Sequence, residues 1–428
     1  MLSISKQANV NYLAKVVKIE NLRKHENADR LQVTVIDFND VITGMDTKVG
    51  DLVVYFPVES QINFEFLKHT NQFASQLLNE DTTIKGYFDK NGRVRAVKLR
   101  GEKSMGYIVP ISIVEDFTGE FLIDKVNEEF DTIRDILMVK KYELPIKGMN
   151  TENKLGKKPR ISRLVDNQVF LHVDTTNLRK EIHKIKPEDF ISITNKLHGT
   201  SFHVHNVIVK KKLNIFTKLI GKLVDINKTE YDIIYGSRKV IKNQYETQNV
   251  NDFYDGDLYT EIKEELKDKI PKNWNIYGEC VGFTKTGGAI QSGYDYGCKP
   301  DEHKIFIYRI TTVNPDGFIQ ELSTLQIKEF CDKMGLSYVP LYYVGYAKNI
   351  YPELSLGEHW NEELIKRLER DYATGECDMC ANHVPKEGMV LRVEQLNYFE
   401  SYKLKNFEFL ERESKELDSG EIDMESAN

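Results

Sequence analysis

Apolar and polar positions alternate with a period near two along the first third of the chain. "YLAKVVKI" (12–19), "RLQVTVI" (30–36) and "GDLVVYFPV" (50–58) are short β-branched runs bounded by polar turns such as "RKHENAD", the pattern of half-buried strands. "GRVRAVKLRG" (92–101) and "MGYIVPI" (105–111) continue it. About five such strands close most economically into a small barrel. Between them, "NFEFLKHTNQFASQLLNED" (63–81) has helical character and reads as an insertion within or beside the barrel.

The pattern breaks at 141–165, where Pro, Gly, Asn and Lys replace periodicity; this reads as an interdomain linker. Apolar strands return over 166–410, in "VFLHV", "ISIT", "FHVHNVIV", "NIYGECVGF", "KIFIYRI" and "GMVLRV", with helical stretches at 258–269 and 323–334. Strands this close in sequence, without regular crossover helices, predict antiparallel sheets in an α+β domain. Within it, Leu213, Phe216, Ile220 and Leu223/Val224 are spaced as one helix face opposite lysines, which predicts a docked surface helix over 210–225. The segment 411–428 holds seven acidic residues against two basic ones and is expected to be a disordered tail. The expected division is thus 1–140, a linker, 166–410 and the tail.

Composition narrows this picture. The 428 residues exceed one typical domain, and 40% hydrophobic with 11% aromatic content supplies real cores. A net charge of −7 argues against a generally basic nucleic-acid coat but leaves room for a local basic groove. No apolar run approaches a membrane span, no signal layout opens the chain, and five cysteines suggest reduced thiols, so a cytoplasmic monomer is expected.

Candidate chemistry begins at "ITNKLHGTSF" (193–202). Lys196 follows a predicted strand and precedes Gly199, which permits a sharp turn and close approach to a ligand. A lysine amine, once deprotonated, can form a phosphoramide with a nucleotide α-phosphate. Alone, Lys196-Leu197-His198-Gly199 reads equally as a surface turn. Downstream, in order, come Ser237-Arg238-Lys239, Tyr277-Gly278-Glu279, Phe306 in "IFIYRI", Glu387-Gly388 in "KEGMVLR", and Lys403-Leu404-Lys405. Each alone has a bland reading, a solvated strand face or a core aromatic. Lys403 and Lys405, two apart on a strand, share a face.

This ordered set resembles the covalent nucleotidyltransferases, the polynucleotide ligases and mRNA capping enzymes. His198, "HVPKEGMVLR" and "SYKLKN" resemble the RNA ligase 2 branch, and "HVDTTNLRKEIHKIKPEDFISITNKLHGTS" resembles its RNA ligase 5 clade. The resemblance spans about 11–410. It implies an α+β chain with an N-terminal OB-type β-barrel and a C-terminal nucleotidyltransferase (ATP-grasp-like ligase) domain of antiparallel sheets with flanking helices. It also implies ATP, Mg²⁺ or Mn²⁺, and an RNA partner, a nicked duplex with 3′-OH and 5′-phosphate ends sealed in RNA repair.

By the same resemblance Lys196 is the AMP-accepting nucleophile, with Lys403, Lys405 and Glu387 as catalytic partners. Asn195, Leu197, His198, Gly199, Arg238, Glu279, Phe306 and Lys403 would hold the nucleotide, Phe306 by stacking on the purine and Glu279 through the ribose. Glu387 and Glu279 would face the metal.

Two other readings stay open: a GTP-using capping guanylyltransferase, against which the barrel stands before rather than after the Lys-x-Lys strand, and a non-catalytic RNA- or tRNA-binding protein on this scaffold. "HENADRL" (25–31) reads as a turn lock at a barrel strand or as a tRNA-contacting loop. Arg93, Arg95, Lys98, Arg100 and Lys103 form a basic strip suited to a phosphate backbone, or a solvated strand edge. Cys377-x-x-Cys380 with His383 has no second cysteine pair at zinc-site spacing.

Overall fold

The computed structural model describes residues 1–143, 163–211, 228–238, 240–242 and 258–419. Most of the expected linker, the helix expected at 210–225 apart from its first two lysines, Lys239, and the last nine residues of the acidic segment lie outside the described residues. The chain divides into two units, Met1–Leu144 with Thr176–His183 and Phe407–Glu421, and Pro145–Thr175 with Lys184–Asn406 and Ile422–Asn428. Each unit is therefore assembled from separated stretches.

In the first unit, β1 (Ala14–Lys18), β2 (Leu31–Ile36), β3 (Asn39–Gly44), β4 (Leu52–Pro57) and β5 (Gly106–Pro110) appear where the alternating runs predict them. They are antiparallel, in two ladders: β5–β4–β1 with Glu129–Phe130 at its edge, and β2–β3 with Arg23–Lys24 at its edge. Among the described residues these ladders do not join into a closed barrel, which corrects that expectation. The segment 92–101 is split between two partners: Gly92–Val94 bonds to 59–62, and Val97–Leu99 pairs in a tight hairpin with Glu102–Ser104. Arg100 and Gly101 both turn at positive φ (46° and 97°), the geometry of the two-residue turn that matches strand twist.

Ala14, Val16, Val54 and Phe56 of the β1–β4 face bury themselves against Phe66, Leu67, Phe73 and Phe88. The insertion at 63–81 is α-helical only over Phe64–His69, started by Asn63, whose side chain accepts the Phe66 N–H, with a single 3₁₀ turn at Gln76–Leu78. Beyond it Asn79 takes over the backbone: its Oδ1 accepts from Phe73 N (2.9 Å), and its amide donates to the Phe73 and Ile84 carbonyls. Side-chain amides that satisfy main-chain groups in this way compete with helix propagation.

The expected disordered tail is a helix as far as Ser419. Phe407 and Leu410 join Ala96 and Met105 in a small apolar cluster of the first unit. The same helix takes up three members of the basic strip. Arg93, 3% exposed, donates to the Ser414 carbonyl (2.5 Å) and pairs with Asp418 (2.8 Å). Arg95 pairs with Asp89 and Asp418, and Lys103 pairs with Glu408 (3.2 Å) over the Phe407 ring. Arg100 reaches back to the Asn27 carbonyl (3.3 Å). So the strip is not an open basic track, and of its five members Lys98 and Arg100 are the exposed ones. "HENADRL" is tied to the same hairpin: buried His25 lies 3.0 Å from the Leu99 carbonyl, and Asn27 donates to the Arg100 carbonyl (2.9 Å).

The second unit contains β6 (Phe190–Lys196), β7 (Thr200–Lys210), β8 (Thr229–Ser237), β9 (Trp274–Gly282), β10 (His303–Val313), β11 (Leu341–Tyr346), β12 (Gly388–Glu394) and β13 (Phe399–Lys405). One antiparallel sheet runs β13–β12–β6–β11, and the other runs β8–β7–β9–β10. The helices Leu258–Leu266 and Thr324–Met334 bury Ile262, Leu266 and Ile327 against Phe202, Ile276 and Ile310 of the second sheet. Thr324–Met334 starts with a reciprocal Ser323–Gln326 capping box. A further helix, Trp360–Leu368, buries Trp360, Leu364, Ile365 and Leu368. Among the described residues no helix is long and apolar enough to cross a membrane.

Candidate active site

β6 and β7 belong to different sheets, and Leu197-His198-Gly199 carries the chain between them. Lys196 is therefore the last residue of a central strand. In register it faces Gly388 of β12, which in turn faces Lys405 of β13. Glu387 immediately precedes that glycine. A Cβ at Gly388, whose φ is 147°, would lie 2.1 Å from the Leu404 carbonyl oxygen, so the Glu-Gly pair needs glycine for the strands to approach. Gly199 has a similar function, since a Cβ there would lie 2.3 Å from the Cys280 carbonyl oxygen.

Lys196 Nζ donates to Glu387 Oε1. The lysine side chain is 14% exposed and the carboxylate 1%. One cleft gathers Asn195, Lys196, Leu197, Arg238, Glu279, Lys403 and Lys405. Glu279, opposite Ser201 on β7, accepts from its hydroxyl (3.0 Å). Arg238, just beyond β8, pairs with Asp174. Burial raises the Asp174 carboxyl pKa, but Arg238, aided by His172 and Lys403, outweighs it and leaves the group below the ordinary value.

Three expected nucleotide ligands stand elsewhere. His198 and Gly199 do not line the cleft; the His198 N–H donates to the buried Tyr296 hydroxyl (2.7 Å) and its ring packs edge-on against Tyr294. Phe306 faces Glu279 in register but is 92% buried and off the cleft wall, as its share in β10 packing requires. The aromatics on the wall are Tyr308, Tyr338 and Phe399; Tyr308, two residues along from Phe306, has its hydroxyl 3.0 Å from His172 Nδ1. The β9–β10 register shifts here, from Gly278 opposite Ile307 to Tyr277 opposite Arg309, so Tyr308 is the extra residue of a bulge. His172 and Val173 also line the cleft; nothing in their composition marks them in advance.

Asn195, before the lysine, lies buried with its N–H on the Pro340 carbonyl (2.9 Å) and its side-chain amide 3.9 Å from Met379 Sδ. Among the described residues no three His, Cys, Asp or Glu side chains converge as a metal cage. A cation here would need oxygens from a ligand in addition to Glu387 or Glu279.

A cleft with one buried lysine held by a carboxylate, and with further cations and a glutamate on its walls, is suited to covalent chemistry on a phosphate. Solved structures with this fold include Naegleria gruberi RNA ligase with PPi, at 17% identity and a TM-score of 0.60, covering 95% of this chain and 100% of that one. A glutamate mutant of that ligase with ATP and Mn aligns at 16% identity and 0.59, covering 94% and 99%. A lysine mutant with AMP and Mn aligns at 17% and 0.57, covering 94% and 98%. No curated protein matches in sequence. An OB-fold domain model matches residues 13–111. The RNA ligase family model matches residues 189–406, just over half of the chain and the stretch that carries the cleft, and the chain therefore belongs to the RNA ligase family.

Proposed function

We propose that this enzyme joins a 3′-hydroxyl to a 5′-phosphate of RNA at duplex nicks, through a lysyl-AMP intermediate, and serves RNA repair. The observation that carries the reading is the contact of Lys196 with buried Glu387 in a cleft shared with Arg238, Glu279, Lys403 and Lys405. The structural neighbours bear ATP, AMP, PPi and Mn, which supports ATP as the nucleotide.

Lys196 Nζ attacks the α-phosphorus; an N–P bond forms, the bond to the β-phosphate oxygen breaks, and pyrophosphate leaves. The amine must shed a proton first, and Glu387 is the acceptor in contact with it. Lys403 and Lys405, on one face of β13, neutralise charge building on the phosphates. Arg238 exchanges Asp174 for a phosphate oxygen, and Glu279 accepts from the ribose. Tyr308 and Leu197 cover the base with apolar surface. The RNA 5′-phosphate then attacks the adenylyl phosphorus and frees Lys196, and the 3′-oxygen attacks the activated end and expels AMP.

Glu387, a buried carboxylate whose partner is already a cation, fits a hard divalent ion completed by Glu279, phosphate oxygens and water; when bound, the ion supplies charge neutralisation. Labelling with radioactive ATP and GTP tests the nucleotide. An alkali-stable, acid-labile adduct on Lys196 from ATP is expected; labelling by GTP alone would point to capping chemistry. Sealing of nicked duplexes with RNA or DNA on each side then tests the substrate, and equal sealing of all-DNA nicks would overturn the RNA assignment.

A further inference from the structure

Cys377 and Cys380 have no part in that mechanism, yet they stand one contact behind it. The Cys380 N–H donates to the Cys377 carbonyl (3.2 Å), closing a four-residue turn. Such a turn holds its end Cα atoms within about 7 Å, overlapping the ~4.4–6.8 Å separation that a disulfide requires. The turn tips a narrow loop closed by Cys377 N–H on the Val384 carbonyl (2.8 Å) and by a Glu376–Pro385 bridge. Two residues after Pro385 comes Glu387.

The tip reaches the nucleophile by two routes. Met379, inside the turn, offers its sulfur to the Asn195 amide, and Asn195 precedes Lys196. Tyr296, buried beside both thiols and Glu387, accepts the His198 N–H. The loop is pinned to the same neighbourhood by Ala381 N–H on Asp295 (3.0 Å) and by Asn382 on the Gly293 carbonyl (2.5 Å). The two thiols are chemically unequal: a hydrogen bond from Cys380, helped by main-chain N–H groups against the cost of burial, lowers the Cys377 pKa to about 7. Cys280 and Cys331 are buried, with their thiols pushed up by that burial, which leaves them inert.

We propose that Cys377 and Cys380 form a reversible disulfide switch that governs reaction at Lys196. The proposal rests on the lysyl-AMP reading for its effect, though not for the bond. The Cys377 thiolate attacks one sulfur of a small-molecule disulfide, releasing one thiol. Cys380, the half-buried thiol, then gives up its proton and attacks the Cys377 sulfur of the resulting mixed disulfide, releasing the second. Two protein thiols lose two hydrogens and two electrons, and the small disulfide gains them. The closed ring contains Met379 and draws it from Asn195. An ångström of misplacement at the nucleophile slows reaction by roughly ten- to a hundredfold.

The test oxidises the full chain with oxidised glutathione, alkylates remaining thiols, and maps the product by mass. Expected are a loss of two hydrogens in the peptide bearing Cys377 and Cys380, slower Lys196 adenylylation by at least tenfold, and recovery in dithiothreitol. Cys380→Ser should keep the reduced-state rate and lose the response, whereas Cys298→Ser should keep both. Amide exchange over 194–200, which needs no nucleotide, should change on oxidation in the parent and not in Cys380→Ser. A stable mixed disulfide, a bond to Cys298, or a Cys377–Cys380 bond that alters neither exchange nor rate would overturn the proposal. Absence of any adduct in the reduced protein would overturn the lysyl-AMP reading alone, because exchange would still decide the switch.

Discussion

Two regions concentrate cations, and they use them differently. In the second unit, Lys196, Arg238, Lys403 and Lys405 come from two strands and the end of a third to line a single cleft. In the first unit, five cations lie within eleven consecutive residues, but Arg93, Arg95 and Lys103 are engaged by Asp418 and Glu408 of a helix more than three hundred positions later. The scattered set makes a site and the contiguous set mostly makes a joint. A buried cation is defined by what stands opposite it, and density along the chain says little about that.

The largest expected effect is at Lys196, the proposed nucleophile. Lys196→Ala should abolish the adenylyl adduct and lower sealing by at least ~10³-fold, with the thermal transition unchanged within a degree or two. Glu387→Gln should lower adduct formation by ~10²-fold, the scale for one charge-stabilising group, measured by single-turnover labelling. An effect on melting larger than that on labelling would make this pair a joint as well.

Acidification should separate the units. His203 and His205 are buried in the second unit and touch at 2.8 Å; burial lowers both, His203 to about 4, and the neighbouring His203 lowers His205 further. Unfolded histidine, nearer 6.5, takes up the proton first. Stability is thus fully present above about 6.5 and falls as pH drops towards about 4, by ~2–3 kcal/mol for His203. Thermal melts across that window should show this slope, and His203→Gln should flatten it.

On the other side of the comparison, Asp418→Ala leaves Arg93 buried without its counter-charge, held by the Ser414 carbonyl and the Tyr142 ring, and should cost about 2 kcal/mol of stability by chemical denaturation. It should leave Lys196 labelling unchanged. The smallest effect is expected for Lys98→Ala with Arg100→Ala, the exposed remainder of the strip: RNA binding about threefold weaker at low salt, with the salt slope reduced by about one. A large loss here would restore the strip as an RNA track.

The ordered motifs made most of the cleft legible because strand register turns fixed sequence offsets into fixed neighbours. Lys196 opposite Gly388 opposite Lys405 is such a case. The paired β-runs and the helix at 323–334 were legible for the same reason, each pattern being satisfied locally. Closure of the barrel was not, since 92–101 divides its pairing between 59–62 and a local hairpin with Glu102–Ser104, and a period of two does not say which strand pairs with which. Tyr308 against Phe306 turns on a register shift between β9 and β10 at Tyr308, which a period of two in the sequence does not reveal. The acidic segment was misread because its charges look solvated in isolation, while Glu413 and Ser414 are buried.

The helix Phe407–Ser419 also sets an order of events during synthesis. Ala96 and Met105 emerge from the ribosome roughly 300 residues before Phe407, an interval of ~15–60 s at ordinary elongation rates. Through that interval the first unit lacks part of its apolar cover and Arg93 lacks its counter-charge. The nascent first unit is therefore a client for chaperones until the catalytic strands have been made, and completion of the ligase sheet precedes completion of the domain that comes before it in the chain.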